Sequence, residues 1–254
     1  LHWMVRRQRQ MCIRDRPTLE GKFNITFMSG AGISTSSGLP DFRNDTDGFW
    51  KKNTPVHFQE FLTSKSSRQK SWNNNIEIKK KLSNSNPSNM HKLINSVLKK
   101  SNKNFHITQN IDGLHFEAEL ESQILELHGN VNTASCLSCG DVYETEEFYG
   151  DVMLHGKDAV CQKCKIGFVK VNTISFGQSL NTNTLENAKE AASNCEYFIV
   201  LGSSLKVSPA NSLVTLAKNK GAKIVILNKE STQFDTMAEL LINADLEEIY
   251  ERIK

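Results

Sequence analysis

The chain has 254 residues, of which 38% are hydrophobic and 23% charged, and its formal net charge is +3. This length is enough to bury a sizeable core, and the composition is ordinary for a soluble globular protein. The net charge is too small, and the lysines are too evenly spread, to indicate a nucleic-acid-binding protein. No run of roughly 18 apolar residues indicates a membrane span, so we expect neither nucleic acid nor membrane as a partner.

The first sixteen residues are basic and lack the apolar run of a secretory signal peptide. The stretch 11–16 resembles translated sequencing-adapter DNA more than protein. We therefore expect residues 1–16 to be a non-native leader and exclude them from the fold. A disordered native tail would be excluded in the same way.

Short apolar runs that end at polar or glycine-rich turns predict four buried strands, at residues 23–28, 105–108, 197–202 and 223–228. Helical periodicity between them predicts helices at residues 90–100, 184–192 and 212–220. Strands that alternate with helices predict an α/β fold, with a doubly wound parallel sheet covered on both faces.

Polar or glycine-rich residues follow each predicted strand, at 30–32, 109–112, 202–204 and 228–230. The carboxyl ends of parallel strands meet at one edge of a sheet, where the ligands of doubly wound proteins bind. We therefore expect these four segments to share one ligand crevice.

The segment Gly30-Ala31-Gly32 lies between a strand and a predicted helix, which is the setting of a phosphate-binding loop. The third glycine of the dinucleotide-binding pattern is missing, because Thr35 occupies its place. A tight turn without a ligand is the alternative. The nearby Asp41-Phe42-Arg43 offers an arginine to pyrophosphate oxygens, although a surface turn with one hydrophobic plug is equally compatible with it.

The segment 109–112, Gln-Asn-Ile-Asp, offers donors and acceptors that suit a ribose or a carboxamide. Such side chains also often do no more than satisfy a turn at a strand end. His128 follows this segment, and imidazole is the side chain whose ordinary pKa suits proton transfer near neutral pH. Most single histidines are structural, so only its position between the polar strand end and the cysteines singles out His128.

Four of the six cysteines form two Cys-x-x-Cys pairs, Cys136 with Cys139 and Cys161 with Cys164. Four thiolates in this pattern suit a tetrahedral Zn²⁺ with no position left for water, so we expect a structural metal. Unrelated free cysteines or a redox site explain two such pairs less well. Metal binding by cysteines is typical of a reducing compartment, and we expect the protein to be cytoplasmic.

Taken together, these motifs resemble those of the sirtuin family of NAD-dependent protein deacylases, in its bacterial form. The resemblance runs from about residue 19 to the C-terminus. Its markers occur in the family's order: GAGIS at 30–34, SGLPDFR at 37–43, TQNIDGLH at 108–115, His128-Gly129, the two cysteine pairs, Phe176-Gly177, and LGSSLKVSPA at 201–210.

The resemblance implies one catalytic domain over residues 17–254, built from two lobes. A Rossmann-like lobe would comprise about 17–45, 90–132 and 171–254. A small lobe would comprise a helical insertion at about 46–89 and a zinc-binding module at about 133–170. NAD and the acylated-lysine protein or peptide would enter the cleft between the lobes from opposite sides.

The resemblance also implies roles for single residues. His128, Asn110 and Asp112 would be catalytic. The peptide would pair as a strand in a groove lined by Ile174, Phe176, Gly177, Leu205 and Val207. The residues that would bind NAD are Gly30, Ala31, Gly32, Asp41, Phe42, Arg43, Gln109, Asn110, Ile111, Asp112, Gly202, Ser203, Ser204, Asn228, Lys229, Glu230 and Ala244.

In the implied reaction, the acyl oxygen attacks the ribose carbon of NAD as nicotinamide leaves. His128 then acts as general base on a ribose hydroxyl, and the products are free lysine and O-acyl-ADP-ribose.

Relatives that prefer succinyl- or malonyl-lysine carry a Tyr and an Arg in the helical insertion. Here no Tyr occurs between residues 51 and 141, and Arg68 is the only arginine there, so we expect an acetyl or other uncharged acyl substrate.

Three other functions are compatible with part of this pattern. ADP-ribosyl transfer or NAD hydrolysis on the same scaffold would use the same motifs. An NAD-binding protein without turnover would not need His128. A hydride-transferring dehydrogenase would explain the glycine loop but not the cysteines, and this chain lacks the acidic residue that should end the second strand, because the polar insertion intervenes.

Overall fold

The computed structural model describes residues 23–39 and 54–254, so the predicted leader at 1–16 lies outside the described residues. Within them, nine strands form two sheets. The strands are β1 (Ile25–Ser29), β2 (Phe105–Thr108), β3 (Ile124–Glu126), β4 (Thr133–Cys136), β5 (Val142–Glu144), β6 (Val169–Val171), β7 (Tyr197–Leu201), β8 (Lys223–Leu227) and β9 (Leu240–Ile242).

The larger sheet is parallel throughout and has the order β3-β2-β1-β7-β8-β9. This is the strand order of the Rossmann fold, in which the chain builds outwards from β1 in one direction and then from β7 in the other. The predicted doubly wound α/β fold is confirmed. The switch between the two halves lies between β1 and β7, which pair directly.

Helices cover both faces of this sheet. The α-helices of the described residues are α1 (Phe58–Thr63), α2 (Lys65–Leu82), α3 (Asn89–Leu98), α4 (Thr182–Asn194), α5 (Ser212–Asn219) and α6 (Leu246–Ile253). One core joins α4 and α5 to the sheet through buried side chains such as Phe198 and Ile226, and the other joins α3 and α6 through Ile25 and Phe27. Strands β7 and β8 contribute side chains to both cores, and their sequences are accordingly near-continuous apolar runs.

The strand register brings the carboxyl ends of the strands to one level. Ser29 at the end of β1 pairs with Thr108 of β2 and with Leu201 of β7. Leu201 in turn pairs with Leu227, the last residue of β8. The segments that follow these strands therefore emerge side by side, as the sequence predicts.

The smaller sheet is antiparallel, in the order β5-β4-β6, and its central strand β4 ends at Cys136, the first cysteine of the first pair. It shares a core with helices α1 and α2, in which Phe61 and Trp72 are buried against Val169. The indole Nε1 of Trp72 also donates a hydrogen bond of 3.0 Å to the carbonyl of Val169. The helical insertion and the cysteine module thus pack as one unit.

The predicted strands and helices agree with the observed ones to within about two residues, but several elements are not predicted. Strands β3 and β9 span three residues each, which is too few for a periodic pattern. Helix α6, which follows β9, is not predicted either. No helix of the described residues is long and apolar enough to cross a membrane.

The helix predicted directly after Gly32 is wrong for residues 31–39. These residues form two short 3₁₀ turns, Ala31–Ile33 and Thr35–Ser37. The hydroxyl of Thr35 bonds to the carbonyl of Gly32 at 3.0 Å, and that of Ser34 bonds to a side chain outside the segment. Hydroxyl groups that bond in this way compete with the helical backbone pattern.

Candidate active site

Two glycine segments cross at the switch point between β1 and β7. The amide of Gly30 donates to the carbonyl of Leu201 at 3.0 Å, and that of Gly32 to the carbonyl of Gly202 at 2.9 Å. A Cβ at Gly30 would lie 2.8 Å from the carbonyl oxygen of Gly202, and one at Gly32 would lie 2.7 Å from its Cα. No side chain is compatible with this crossing, which leaves a backbone surface that a pyrophosphate can approach closely.

A cavity of about 630 Å³ opens above the glycine crossing. Most of the residues predicted to bind NAD line it: Gly30, Ala31, Gly32, Gln109, Asn110, Ile111, Gly202, Ser203, Ser204, Asn228, Lys229, Glu230 and Ala244. His128 lines the same cavity. The four strand ends and the histidine therefore share one crevice, as expected, and the glycine floor and the amide rim suit a dinucleotide such as NAD.

Asp112 lies behind the cavity wall rather than on it. Its carboxylate is buried and accepts hydrogen bonds from the Ser34 hydroxyl at 2.8 Å and from the Leu114 amide at 3.0 Å. The Ser34 hydroxyl also accepts a bond of 3.1 Å from the side-chain amide of Asn110, which does line the cavity. Asp112 is thus connected to the cavity-lining Asn110 through the Ser34 hydroxyl. Ser34 belongs to the sequence motif, but no role was predicted for it.

His128 stands on the segment that follows β3. Its Nδ1 lies 2.9 Å from the carbonyl oxygen of Gln109. A carbonyl only accepts hydrogen bonds, so Nδ1 carries the proton, and in the neutral ring Nε2 is the basic nitrogen. The strand end at Gln109 therefore fixes both the orientation and the tautomer of the imidazole.

Gly129 allows the cysteine module to return beside His128. Its φ is +69°, and a Cβ there would lie 1.7 Å from the carbonyl oxygen of Asn172. The amide of Ile174 then donates to the carbonyl of His128 at 2.9 Å. This hydrogen bond thus places the residues predicted to line the peptide groove directly beside the segment that carries His128.

The five residues predicted to line the peptide groove fall into two groups. Ile174, Phe176 and Val207 line the cavity, and the Phe176 side chain is half exposed. Gly177 and Leu205 do not line it, and the side chain of Leu205 is buried in the core beneath α5. Asp41, Phe42 and Arg43, also predicted to bind NAD, lie outside the described residues.

Residues of α2 form a wall of the cavity that was not predicted. Ser71, Asn74, Asn75 and Ile78 face it from the helical insertion. They recur at the spacing of one helical face, but their polar character hides them among the other Asn, Ser and Lys residues of the insertion. Only the packing of α2 on the small sheet turns this face towards the cavity.

The four cysteine sulfurs lie within 4.8 Å of one another. The Sγ–Sγ distances are 3.7 Å between Cys136 and Cys164 and 3.6 Å between Cys139 and Cys161. A tetrahedron with metal–sulfur bonds of about 2.3 Å has edges of about 3.8 Å, so the four residues suit Zn²⁺. Backbone amides at 3.4 Å from Sγ support three of the ligands, and the Tyr143 hydroxyl lies 3.1 Å from Cys161 Sγ.

Three buried histidines lie behind Asp112. Burial lowers the pKa of His91 to about 4 and that of His106 well below its ordinary value. Burial also acts to lower the pKa of His115, but Asp112 and Glu126 outweigh it and raise that pKa to about 9. His115 is therefore the charged member of the three at neutral pH.

The Sir2 family model matches residues 30–209, so the chain belongs to the Sir2 family, as its motifs indicate. The chain is 38% identical over 226 residues to an NAD-dependent protein deacetylase of Rhodopseudomonas palustris, which covers 89% of this chain and 88% of that protein. It is 37% identical to NAD-dependent protein deacylase 2 of Archaeoglobus fulgidus, over 92% and 90% of the two chains. The structure of Sir2Tm bound to a propionylated peptide has a TM-score of 0.76 and 29% identity, and covers 95% of this chain and 96% of that one.

Replacing Gly129 with alanine should unfold the junction beside His128. We expect the free energy of unfolding to fall by at least about 3 kcal/mol, because both the positive φ and the Asn172 carbonyl oppose a side chain. The matched control is Gly221→Ala, which has a φ of +95° and nothing within 4 Å, and should cost about 1–2 kcal/mol. Urea unfolding measures both, and equal losses in the two variants would contradict the clash.

Replacing Cys161 with serine should release the metal and loosen the small lobe. We expect zinc content measured by atomic spectrometry to collapse and amide exchange to accelerate in β4, β6 and α2, which share a core, but not in β7. Cys195→Ser is the control, since Cys195 lies in the core of the large sheet, away from the cluster. A Cys161→Ser protein with full zinc content would show that the four thiolates are not the ligands.

Proposed function

We propose that this protein is an NAD-dependent protein-lysine deacylase that removes acetyl or other uncharged acyl groups, with a structural zinc ion in its small lobe. The observation that carries the proposal is the placement of His128 in the same cavity as the glycine crossing, with its tautomer fixed by Gln109. Relatives that align with nearly the whole chain are named NAD-dependent protein deacetylase or deacylase.

The glycine crossing and the segments after β7 and β8 would hold NAD. Backbone amides near Gly30 and Gly202 suit its phosphates, and Asn228 and Ser204 suit its adenosine half. Bound NAD supplies the ribose carbon that accepts the acyl oxygen as nicotinamide leaves. Asn110 would hold the reactive end, with its side-chain amide oriented by Ser34 and, through Ser34, by Asp112.

His128 would act as the general base. With Nδ1 donating to the carbonyl of Gln109, Nε2 is the nitrogen that takes a proton from a ribose hydroxyl. The zinc site would take no part in this step, because four thiolates leave no coordination position for water or substrate.

The preference for uncharged acyl groups rests on the surroundings of Arg68. Its guanidinium donates to both oxygens of Asp158, from Nε and from an Nη, at 2.9 Å each. It also stacks 3.8 Å above the ring of Phe168 and does not line the cavity. The arginine of the insertion is therefore already paired and cannot receive an acyl carboxylate in this arrangement.

The division into lobes and the compartment belong to the same proposal. We assign residues 46–89 and 133–170 to the small lobe and the rest of 17–254 to the Rossmann-like lobe, which the shared core of α1, α2 and the small sheet supports. We assign the protein to the cytoplasm, because four thiolates that hold zinc require a reducing compartment.

Replacing His128 with alanine should lower turnover on an acetyl-lysine peptide roughly 10²–10⁴-fold, because the ribose hydroxyl loses its base. NAD binding, measured by calorimetry, should persist, since the glycine floor is untouched. His155→Ala, at an exposed position of the cysteine module, is the control and should retain wild-type turnover. Unchanged turnover in His128→Ala would remove the assignment of the base.

The same assay separates deacylation from its rivals. Nicotinamide release by the wild-type protein should depend strictly on the acyl-lysine peptide. Release without peptide would favour NAD hydrolysis or ADP-ribosyl transfer, and binding of NAD without any release would favour a binding protein without turnover.

A panel of acyl-lysine peptides should rank acetyl and propionyl above succinyl. We expect kcat/KM for succinyl-lysine to be about 10- to 100-fold lower, because its carboxylate would enter the cavity without a cationic partner in the helical insertion. Comparable rates for acetyl- and succinyl-lysine would contradict the preference, and an Asp158→Asn variant would then show whether a released Arg68 is responsible.

A further inference from the structure

The imidazole of His115 lies between two carboxylates, one on the segment that follows β2 and one at the end of β3. Its Nε2 is 2.9 Å from Oε1 of Glu126, and its Nδ1 is 3.7 Å from Oδ1 of Asp112. The imidazole and the Asp112 side chain are each 1% exposed, so their contact is shielded from solvent, whereas the Glu126 side chain is partly exposed. Asp112 follows the end of β2, whereas Glu126 is the last residue of β3.

On the Asp112 side, hydrogen bonds connect His115 and its carboxylate partner to the cavity. The second oxygen of Asp112 accepts the Ser34 hydroxyl at 2.8 Å, and the same hydroxyl accepts the side-chain amide of Asn110 at 3.1 Å. The rotamer of Asn110 therefore depends on where the Asp112 carboxylate is held. His115 is the cationic group that holds it from behind.

On the Glu126 side, hydrogen bonds connect His115 and its carboxylate partner to the segment that carries His128. The second oxygen of Glu126 accepts the side-chain amide of Asn130 at 2.8 Å. The Asn130 side-chain oxygen in turn accepts the amide of Thr133 at 3.0 Å, where β4 begins. The Glu126 carboxylate thus holds Asn130 across the turn that contains His128 and Gly129, and Asn130 in turn holds the start of β4.

The other titratable groups near His115 do not duplicate its charge. His106 of β2 meets it edge to face at 5.8 Å between ring centroids, and His91 approaches from α3. Burial lowers the pKa of both rings, so they stay neutral at neutral pH. The pKa of His115 is raised to about 9 despite its burial, so two carboxylates face one cation.

We propose that His115 is a positioning residue of the deacylase site, which as a buried imidazolium fixes the end of β2, with Asn110, relative to the end of β3, with His128. It does not line the cavity, and it would act through Asp112 and Glu126. The inference rests on the proposed function for its activity readout, but its charge and its structural effect are measurable without any substrate.

The first test compares His115→Gln with wild type. Glutamine keeps a hydrogen-bond donor but no charge, so kcat on an acetyl-lysine peptide should fall about 10- to 100-fold, with a smaller change in KM for the peptide. His155→Gln, at an exposed position that does not line the cavity, should match wild type in both constants. A His115→Gln enzyme with wild-type kcat would overturn the proposal.

The second test follows stability against pH. A histidine whose pKa is raised by folding adds stability that is complete below about pH 6.5 and is lost as pH rises towards about 9. The stability advantage of wild type over His115→Gln should therefore shrink across that interval. His106→Gln, which removes a neutral ring of the same cluster, should be less stable than wild type but keep this pH dependence. If His106→Gln also loses this pH dependence of stability, the charge that causes it does not belong specifically to His115.

A third measurement covers the case in which His115→Gln does not fold. Glu126→Gln alters a partly exposed side chain and removes one of the two carboxylates. In histidine-selective NMR, the wild-type His115 ring should remain protonated at pH 7.5, and Glu126→Gln should lower its pKa and reduce kcat. A neutral His115 ring at pH 7.5 in the wild-type protein would refute the proposal. Absence of deacylation in wild type would refute the proposed function instead, and would leave the NMR and stability results to decide the charge.

Discussion

The close contact of two glycine segments between β1 and β7 is the constraint on which the site depends. Gly30 and Gly32 meet Gly202 at distances that exclude a Cβ on any of the three. Strand register brings both segments to this point, because Ser29 pairs with Leu201 at the last position of each strand. The cavity has a backbone floor for this reason, and every other side chain of the site is placed around it.

In the proposed function, the small lobe positions other parts of the site and supplies no reacting group. Its helices and its cysteine-bearing sheet share one core, so the four thiolates hold the sheet that α2 packs against. This packing turns one face of α2 into a wall of the cavity and returns the chain past Gly129 to Ile174. A metal without an open position suits this role, since it stabilises a fold, and in the proposed reaction the proton transfer falls to the imidazole of His128.

Charge inside the Rossmann-like lobe is concentrated behind the cavity. Asp112, buried on the segment that follows β2, accepts hydrogen bonds from Ser34 and Leu114, and Nδ1 of His115 lies 3.7 Å from its Oδ1. Burial would raise the pKa of this carboxyl, but these partners outweigh burial and lower it. Asp112 itself does not line the cavity, whose wall combines amide and hydroxyl side chains with apolar ones and with the charged Lys206, Lys229, Glu230 and Asp245.

Local sequence alone determined the central strands, the helices next to them and the cysteine cluster. An apolar run indicates a strand that is buried on both faces, and Cys-x-x-Cys spacing indicates a tight metal-binding turn. Both patterns lie within a few neighbouring residues, so they can be recognised without knowing the distant contacts. Tertiary structure alone decided that Asp112 lies behind the cavity and that Arg68 pairs with Asp158, ninety positions along the chain. It also decided that Ser34 bridges Asn110 and Asp112 and that Gly129 meets Asn172. Periodicity shows which side chains are buried, but the crossover connections and strand register decide which partners they meet.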